Sequence, residues 1–186
     1  MAAGERQRLW VPLPGRHNVY NALAAVAVGL ELGLNWEQIA RGLSQVVPSG
    51  MRLAITRHKE YIIINDAYNA SPLSMRAAID TLSEVAEGRK IAVLGDMLEL
   101  GHLAKTAHQA VGEQLVVRKI DVVITVGELA RYIAQTTQKG GIPQVIACDN
   151  HAQAKQALAA ILRPGDTILV KGSRGMQMEQ VLELFD

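Results

Sequence analysis

With 186 residues, of which 49% are apolar and 20% charged, the chain can bury the core of one ordinary domain, or of one domain plus a piece of another, and it is too apolar to be disordered. A formal charge of +1, with no Lys/Arg cluster denser than Arg6-Gln7-Arg8, gives no electrostatic pull toward nucleic acid. The single cysteine, Cys148, excludes an internal disulfide framework and thiolate metal clusters, no apolar run is long enough to span a bilayer, and Met1-Ala2-Ala3-Gly4-Glu5-Arg6 holds no apolar signal core, so the expected location is the cytoplasm.

In chain order, Leu9-Trp10-Val11-Pro12-Leu13 reads as strand-like, Gly15 leads an Ala-rich helix from about 18 to 32, and Asn35 caps a second helix reaching about Val46. Pro48-Ser49-Gly50 then reads as a hinge or linker, which places a domain boundary between residues 1–48 and 49–186. From residue 60 onward strand and helix alternate. The expected pairs are Tyr61 to Asn65 with 72–87, Lys90 to Leu94 with about 103–118, and Asp121 to Val126 with 128–138. They continue with Gln144 to Ala147 and 151–162, then Thr167 to Val170 and a last helix over 175–185. Short all-apolar strands such as Ile91-Ala92-Val93-Leu94, each followed by an amphipathic helix, predict an α/β, Rossmann-like domain: a mostly parallel sheet with helices on both faces. A chain that opens with one strand and two helices ahead of a complete α/β domain is organised like a piece of something longer.

The richest stretch for chemistry is Asn65-Asp66-Ala67-Tyr68-Asn69-Ala70-Ser71-Pro72, where apolar β-formers give way to a helical pattern. Open parallel sheets place ligands at such strand ends, because side chains there and the free N–H groups of the next helix share one crevice. The same residue types also build ordinary turns, and Ser71-Pro72 is a standard cap followed by Pro at the first helical position. Asn18 and Asn21, three apart on one helical face behind Gly15-Arg16-His17, suit the donor and acceptor pair of a purine edge, or equally a cap and a solvated amide. Arg52, beside the hinge, suits a phosphate clamp or an ordinary surface cation.

Gly95-Asp96-Met97-Leu98-Glu99-Leu100-Gly101 carries two carboxylates that suit orienting an amine or capping the next helix. Lys171-Gly172-Ser173-Arg174-Gly175 reads as a cationic turn opening the last helix, suited to an anion. Among the histidines, His108 is expected to be packed or solvated on a long helix, His58 to be exposed in the turn Arg57-His58-Lys59-Glu60, and His102 and His151 to sit at helix starts without a chemical role. No His, Cys and carboxylate spacing matches a metal site, so none is assigned, and no Ser lies in a nucleophile elbow. The sequence holds neither G-x-x-x-x-G-K-[ST] nor G-x-G-x-x-G after a strand, so the usual grips on a triphosphate or a dinucleotide are absent from it.

Taken in order, GRHNVYNALAA, SGMR, NDAYNASPLSM, GDMLELG with His108 downstream, and KGSRGMQME resemble the Mur ligases of peptidoglycan synthesis, over nearly the whole chain from about Leu9 onward. Tyr68-Asn69 points within that family to the branch that adds D-Ala-D-Ala to a UDP-N-acetylmuramoyl-tripeptide. The resemblance implies that residues 1–48 end a central ATP-binding domain and that residues 49–186 form the complete C-terminal domain. It implies ATP and Mg2+ as cofactors, with the P-loop, most metal ligands and the UDP-binding domain lying in missing N-terminal and central domains, so that the chain alone is expected to be inactive.

By the same resemblance, His17, Asn18 and Asn21 face the adenine, Arg52 approaches the phosphates and Asp66 holds the ribose or phosphate side, these last two being the catalytic pair. Tyr68, Asn69 and Ser71 border the dipeptide site, and Lys171, Ser173 and Arg174 meet its carboxylate or help close the domain. Ala54 departs from the pattern, since related sequences often carry an acidic residue there. Competing readings are another amide ligase of the same superfamily, folylpolyglutamate synthetases included, a non-catalytic nucleotide-binding module, and, on fold alone, a nicotinamide-dependent oxidoreductase.

Overall fold

The computed structural model describes all residues except 1–5, Pro14, Pro48 and Ser49, and the side chain of His17. Two of the three residues expected to form the hinge therefore lie outside the described residues. The chain divides into two compact units, Met1–Pro48 and Ser49–Asp186.

The first unit is a helix pair, α1 (Arg16–Glu31) and α2 (Trp36–Ser44). The start of α2 is fixed by a reciprocal capping box, in which Asn35 Oδ1 accepts the Gln38 N–H at 2.9 Å and Gln38 Oε1 accepts the Asn35 N–H at 2.9 Å. Val26, Ile39 and Leu43 form its small core, and Gly29 lets the helices approach, since a Cβ there would lie 3.2 Å from Ile39. Leu9 to Leu13 form no strand; no ladder pairs with them, and Leu9 and Val11 pack on the helix-pair core instead. Val19, Tyr20, Leu23 and Val28 leave a broad apolar face of α1 exposed.

Among the described residues the second unit contains six strands: β1 (Ala54–His58), β2 (Tyr61–Asp66), β3 (Lys90–Gly95), β4 (Val122–Val126), β5 (Gln144–Cys148) and β6 (Thr167–Lys171). Their order is β1-β2-β6-β3-β4-β5, with β1 antiparallel to β2 and all other pairs parallel. Four helices connect them: α3 (Pro72–Val85), α4 (Ala104–Val117), α5 (Arg131–Lys139) and α6 (His151–Ile161). Period-2 alternation explains the all-apolar strands. Ala92 and Leu94 join Ile79, Leu82, Val111 and Ile133 in the layer under α3, α4 and α5, whereas Ile91 and Val93 join Ala154, Leu158 and Val181 on the opposite face.

Three features differ from the sequence expectation. Strand β1 was not expected, because its central residues are exposed and its hairpin turns through Lys59 at φ 52 without the Asn-Gly signal such turns usually show. As a result His58 is half-buried, edge-on to Phe185 with ring centroids 5.9 Å apart, where an exposed turn residue was expected. The final helix is not α-helical but two 3-10 stretches, Arg174–Met176 and Met178–Phe185, broken at Gln177, which is left-handed at φ 48. That break delivers Met178 into a notch between Gly95 and Gly172, where an added Cβ would lie 2.8 and 2.5 Å from the methionine.

At the amino ends of the strands a bidentate clamp closes the sheet. Arg89 Nε and a terminal nitrogen donate to the two oxygens of Asp166 at 2.9 and 2.8 Å, the second nitrogen also reaching the Ile161 carbonyl at 2.6 Å. Asp166 is 1% exposed. Replacing Arg89 by Met strands that carboxylate, and the expected loss is about 3–5 kcal/mol in urea unfolding, against less than about 1 kcal/mol for removing the exposed Arg57–Glu87 pair.

Candidate active site at the carboxyl ends of the strands

Strands β2, β6 and β3 end side by side, with Asp66 in register with Lys171 and Lys171 with Leu94. Three segments leave this rim: 66–72, 95–101 and 171–176. In the first, Asn65 Oδ1 accepts the Ala67 N–H at 3.2 Å and Asn69 Oδ1 accepts the Ala70 N–H at 2.8 Å, two local turns set by Asn side chains. Ser71 then caps α3 reciprocally with Ser74, and Pro72 occupies the first turn. Ser71 thus serves the helix start, while its residue remains exposed at the rim.

Asp66 is the centre of the rim. One carboxylate oxygen accepts the Leu53 N–H at 3.0 Å and the other accepts Lys171 Nζ at 2.5 Å. Lys171 also donates to the Asn69 carbonyl at 2.8 Å and is 1% exposed. This corrects the expectation of an open cationic turn, because Lys171 is the last residue of β6 and its charge is consumed inside the domain. Burial pushes its pKa down, Asp66 pulls it up, and the nearby Arg52 charge lowers it further.

Ser173 is likewise interior, at 4% exposed. Its Oγ accepts the Leu98 N–H at 2.8 Å and donates to the Ala70 carbonyl at 3.4 Å, and its own N–H donates to the Asp96 carbonyl at 3.0 Å. One small side chain therefore ties all three segments together. Asp96, 7% exposed, accepts the Ala130 N–H at 2.7 Å and packs where a Gly127 side chain would otherwise stand. It thus fastens the start of α5, which follows the next strand, β4, and not the helix that directly follows Asp96. His108 is fully buried: Nε2 accepts the Met97 N–H at 3.0 Å, which leaves the Nδ1 proton for the Ala104 carbonyl at 2.6 Å. Of the two expected alternatives, packed or solvated, His108 is packed, and it also sets the path of residues 96–98.

What stays open to solvent is a smaller set. Arg52 lies with its guanidinium carbon 4.0 Å above the Tyr68 ring, and both residues are exposed. Arg52 sits between two non-glycine residues in left-handed conformation, Met51 at φ 63 and Leu53 at φ 47, each costing on the order of 1–2 kcal/mol. The Met51 carbonyl accepts the Tyr68 N–H at 3.0 Å, and Arg174, which is ion-paired with Glu179, reaches Met51 Sδ at 3.7 Å. The structure thus brings Arg52, Asp66, Tyr68, Asn69, Lys171, Ser173 and Arg174 to one rim. In the first unit, Asn21 donates its amide to Asn18 Oδ1 at 3.1 Å across one turn of α1, and Gly15 rather than either Asn occupies the cap position. His17 lies on the same helix, its side chain outside the described residues.

Sequence reasoning did not identify Leu53, whose N–H anchors Asp66, or Met178, whose seat needs two distant glycines. Neither contact has a local signature.

The family model described as Mur ligase, glutamate ligase domain matches residues 51–174. The UDP-N-acetylmuramoyl-tripeptide--D-alanyl-D-alanine ligase of Bacillus subtilis (strain 168) is 42% identical over 97% of this chain. The chain spans 40% of that relative's length. A crystal structure of MurF from Acinetobacter baumannii superposes with a TM-score of 0.87 at 34% identity, covering 95% of this chain and 39% of that one. A MurF ligase from Thermotoga maritima in complex with ADP gives 0.78 at 28% identity, over 95% of this chain and 38% of that one.

Replacing His108 by Leu keeps volume but leaves the Met97 N–H without its acceptor. The expected cost is about 1–3 kcal/mol in urea unfolding, with faster amide exchange at Met97 and Leu98.

Proposed function

This chain belongs to the Mur ligase family, and on that premise we propose that it is the C-terminal part of an ATP-dependent ligase joining D-Ala-D-Ala to UDP-N-acetylmuramoyl-tripeptide in peptidoglycan synthesis. The proposed domain assignment follows: residues 1–48 end the central ATP-binding domain and 49–186 form the C-terminal domain. The exposed apolar face of α1 supports the first half of that assignment, since a two-helix unit leaves uncovered what a larger domain would bury. The proposed location is the cytoplasm; among the described residues no helix is long and apolar enough to cross a membrane.

The observation that carries the reading is the exposed Arg52 guanidinium stacked on Tyr68 beside the buried Asp66–Lys171 pair, at the carboxyl ends of the strands. In the proposed reaction the tripeptide carboxylate takes the γ-phosphoryl group of ATP, and ADP leaves. The neutral dipeptide amine then adds to the acyl carbon, and the tetrahedral intermediate loses a proton from nitrogen and expels phosphate. Arg52 supplies permanent positive charge for phosphate oxygens, and Asp66, each of whose oxygens keeps a further lone pair, faces the ribose or phosphate side. Asn18 and Asn21, with His17, are assigned to the adenine; the two amides lie together on one face of α1, the residue types that a purine edge takes.

Tyr68, Asn69 and Ser71 are assigned to the wall of the dipeptide site, with Arg174 on the carboxylate side. Lys171 and Ser173, being buried, are assigned to holding that wall in shape. The ligands of Mg2+ are assigned mostly to the rest of the enzyme.

Two experiments test this. The purified 186-residue chain is expected to release no phosphate from ATP with both substrates present, in keeping with the absence of a P-loop motif from its sequence; substrate-dependent release overturns that expectation. Grafted in place of the matching segment of the Bacillus subtilis relative, the chain is expected to restore ligation of D-Ala-D-Ala but not of single amino acids, and Arg52→Met in that hybrid to lower kcat about 100-fold or more. A hybrid that prefers a single amino acid refutes the dipeptide assignment.

A further inference from the structure

Arg52 is aimed by a backbone turn that local preference alone does not favour. Met51 and Leu53 both hold left-handed conformations that branched or long side chains rarely adopt, and neither is glycine. The contacts that hold this turn come from distant parts of the chain. The Leu53 N–H is fixed on Asp66, thirteen residues on, and the Met51 carbonyl on the Tyr68 N–H, seventeen residues on. The Leu53 side chain is buried in the core at 7% exposed.

Asp66 is itself held by Lys171, 105 residues further along, whose ammonium is shared between Asp66 and the Asn69 carbonyl. The chain of contacts therefore runs Lys171, Asp66, Leu53 N–H, the Met51–Leu53 turn, and Arg52 over Tyr68. Tyr68 and Asn69 are fixed from the same centre, so guanidinium and ring are positioned from one point.

We infer that Lys171 is a positioning residue: through Asp66 it clasps the left-handed Met51–Leu53 turn and so sets the place of Arg52, without meeting any substrate itself. The ammonium is 1% exposed and both its contacts are internal, so it has no free face to offer a ligand. The inference deepens the reading of Arg52 as the phosphate-facing cation and rests on that reading for its consequence in catalysis. The clasp can be measured without nucleotide.

The test uses nuclear magnetic resonance and amide exchange on the 186-residue chain. In the wild type the side-chain protons of Arg52 are expected upfield, shielded by the Tyr68 ring, and the Leu53 amide protected. In Lys171→Met the Arg52 shifts are expected to collapse toward those of free arginine and the Leu53 amide to exchange at least about tenfold faster, while Val93 and Leu169 in the sheet keep their protection. Because Lys171→Met leaves Asp66 buried without a counter-charge, the neutral pair Lys171→Met with Asp66→Asn serves as the variant less prone to unfold, with the same expected loss of shielding. Unchanged Arg52 shifts and Leu53 protection in either folded variant overturn the inference, as does an unprotected Leu53 amide in the wild type. An intact clasp with an Arg52→Met hybrid of full activity would refute the phosphate role alone.

Discussion

The contact between Lys171 and Asp66 joins two parallel strands at their shared carboxyl end, and almost everything on the rim is attached to it. Taking both charges out of water costs several kcal/mol per ion, and their attraction in the interior does little more than offset that. The pair is therefore a poor source of net stability and a strict source of geometry. The buried carboxylate accepts from an ammonium and from the Leu53 N–H at once, so moving either partner leaves a buried polar group unsatisfied. Removing either partner leaves the other as an uncompensated charge, so the rim has few alternative conformations of comparable energy.

Around this centre the loops are fixed by single polar atoms, not by large apolar contacts. Ser173 links three segments through one hydroxyl and one N–H, His108 sets residues 96–98 through one ring nitrogen, and Asp96 fastens the start of α5 through one oxygen. The apolar mass lies below, in the two layers on either face of the sheet. The division suits the proposed ligand-binding edge, where loops must hold set directions yet leave solvent-facing surface open.

Much of the fold was legible because β3, β4 and β6 are buried on both faces, which produces uninterrupted apolar runs that no surface element shows. β1 was not, since an edge strand with an exposed middle carries no such run, and Lys59 gives no warning of a left-handed turn. The final 3-10 stretches escaped for a different reason. Amphipathic spacing over 178–185 suits either helix type, and the seat for Met178 depends on Gly95, some eighty residues earlier. At the site, residue types at a strand end could be read from local order. That Lys171 lies opposite Asp66 could not, because it follows from the parallel register of β2 with β6.

The structure sorts the charges of the rim by use. Lys171 and Asp96 are spent on internal partners, Asp66 gives each oxygen one internal partner and keeps its remaining lone pairs for the proposed ribose or phosphate side, and Arg174 is shared with Glu179, whereas Arg52 has an aromatic ring as its partner. That choice matters chemically. A carboxylate beside Arg52 would orient the guanidinium but cancel its field at the distance of a bound anion. The Tyr68 ring orients it from one face and leaves its net charge intact, and a contact through the ring face does not itself occupy the in-plane N–H groups of the fork. An exposed, uncancelled and pre-oriented cation resting on a strained turn is costly to maintain, and the Lys171–Asp66 pair supplies the rigidity that makes it sustainable.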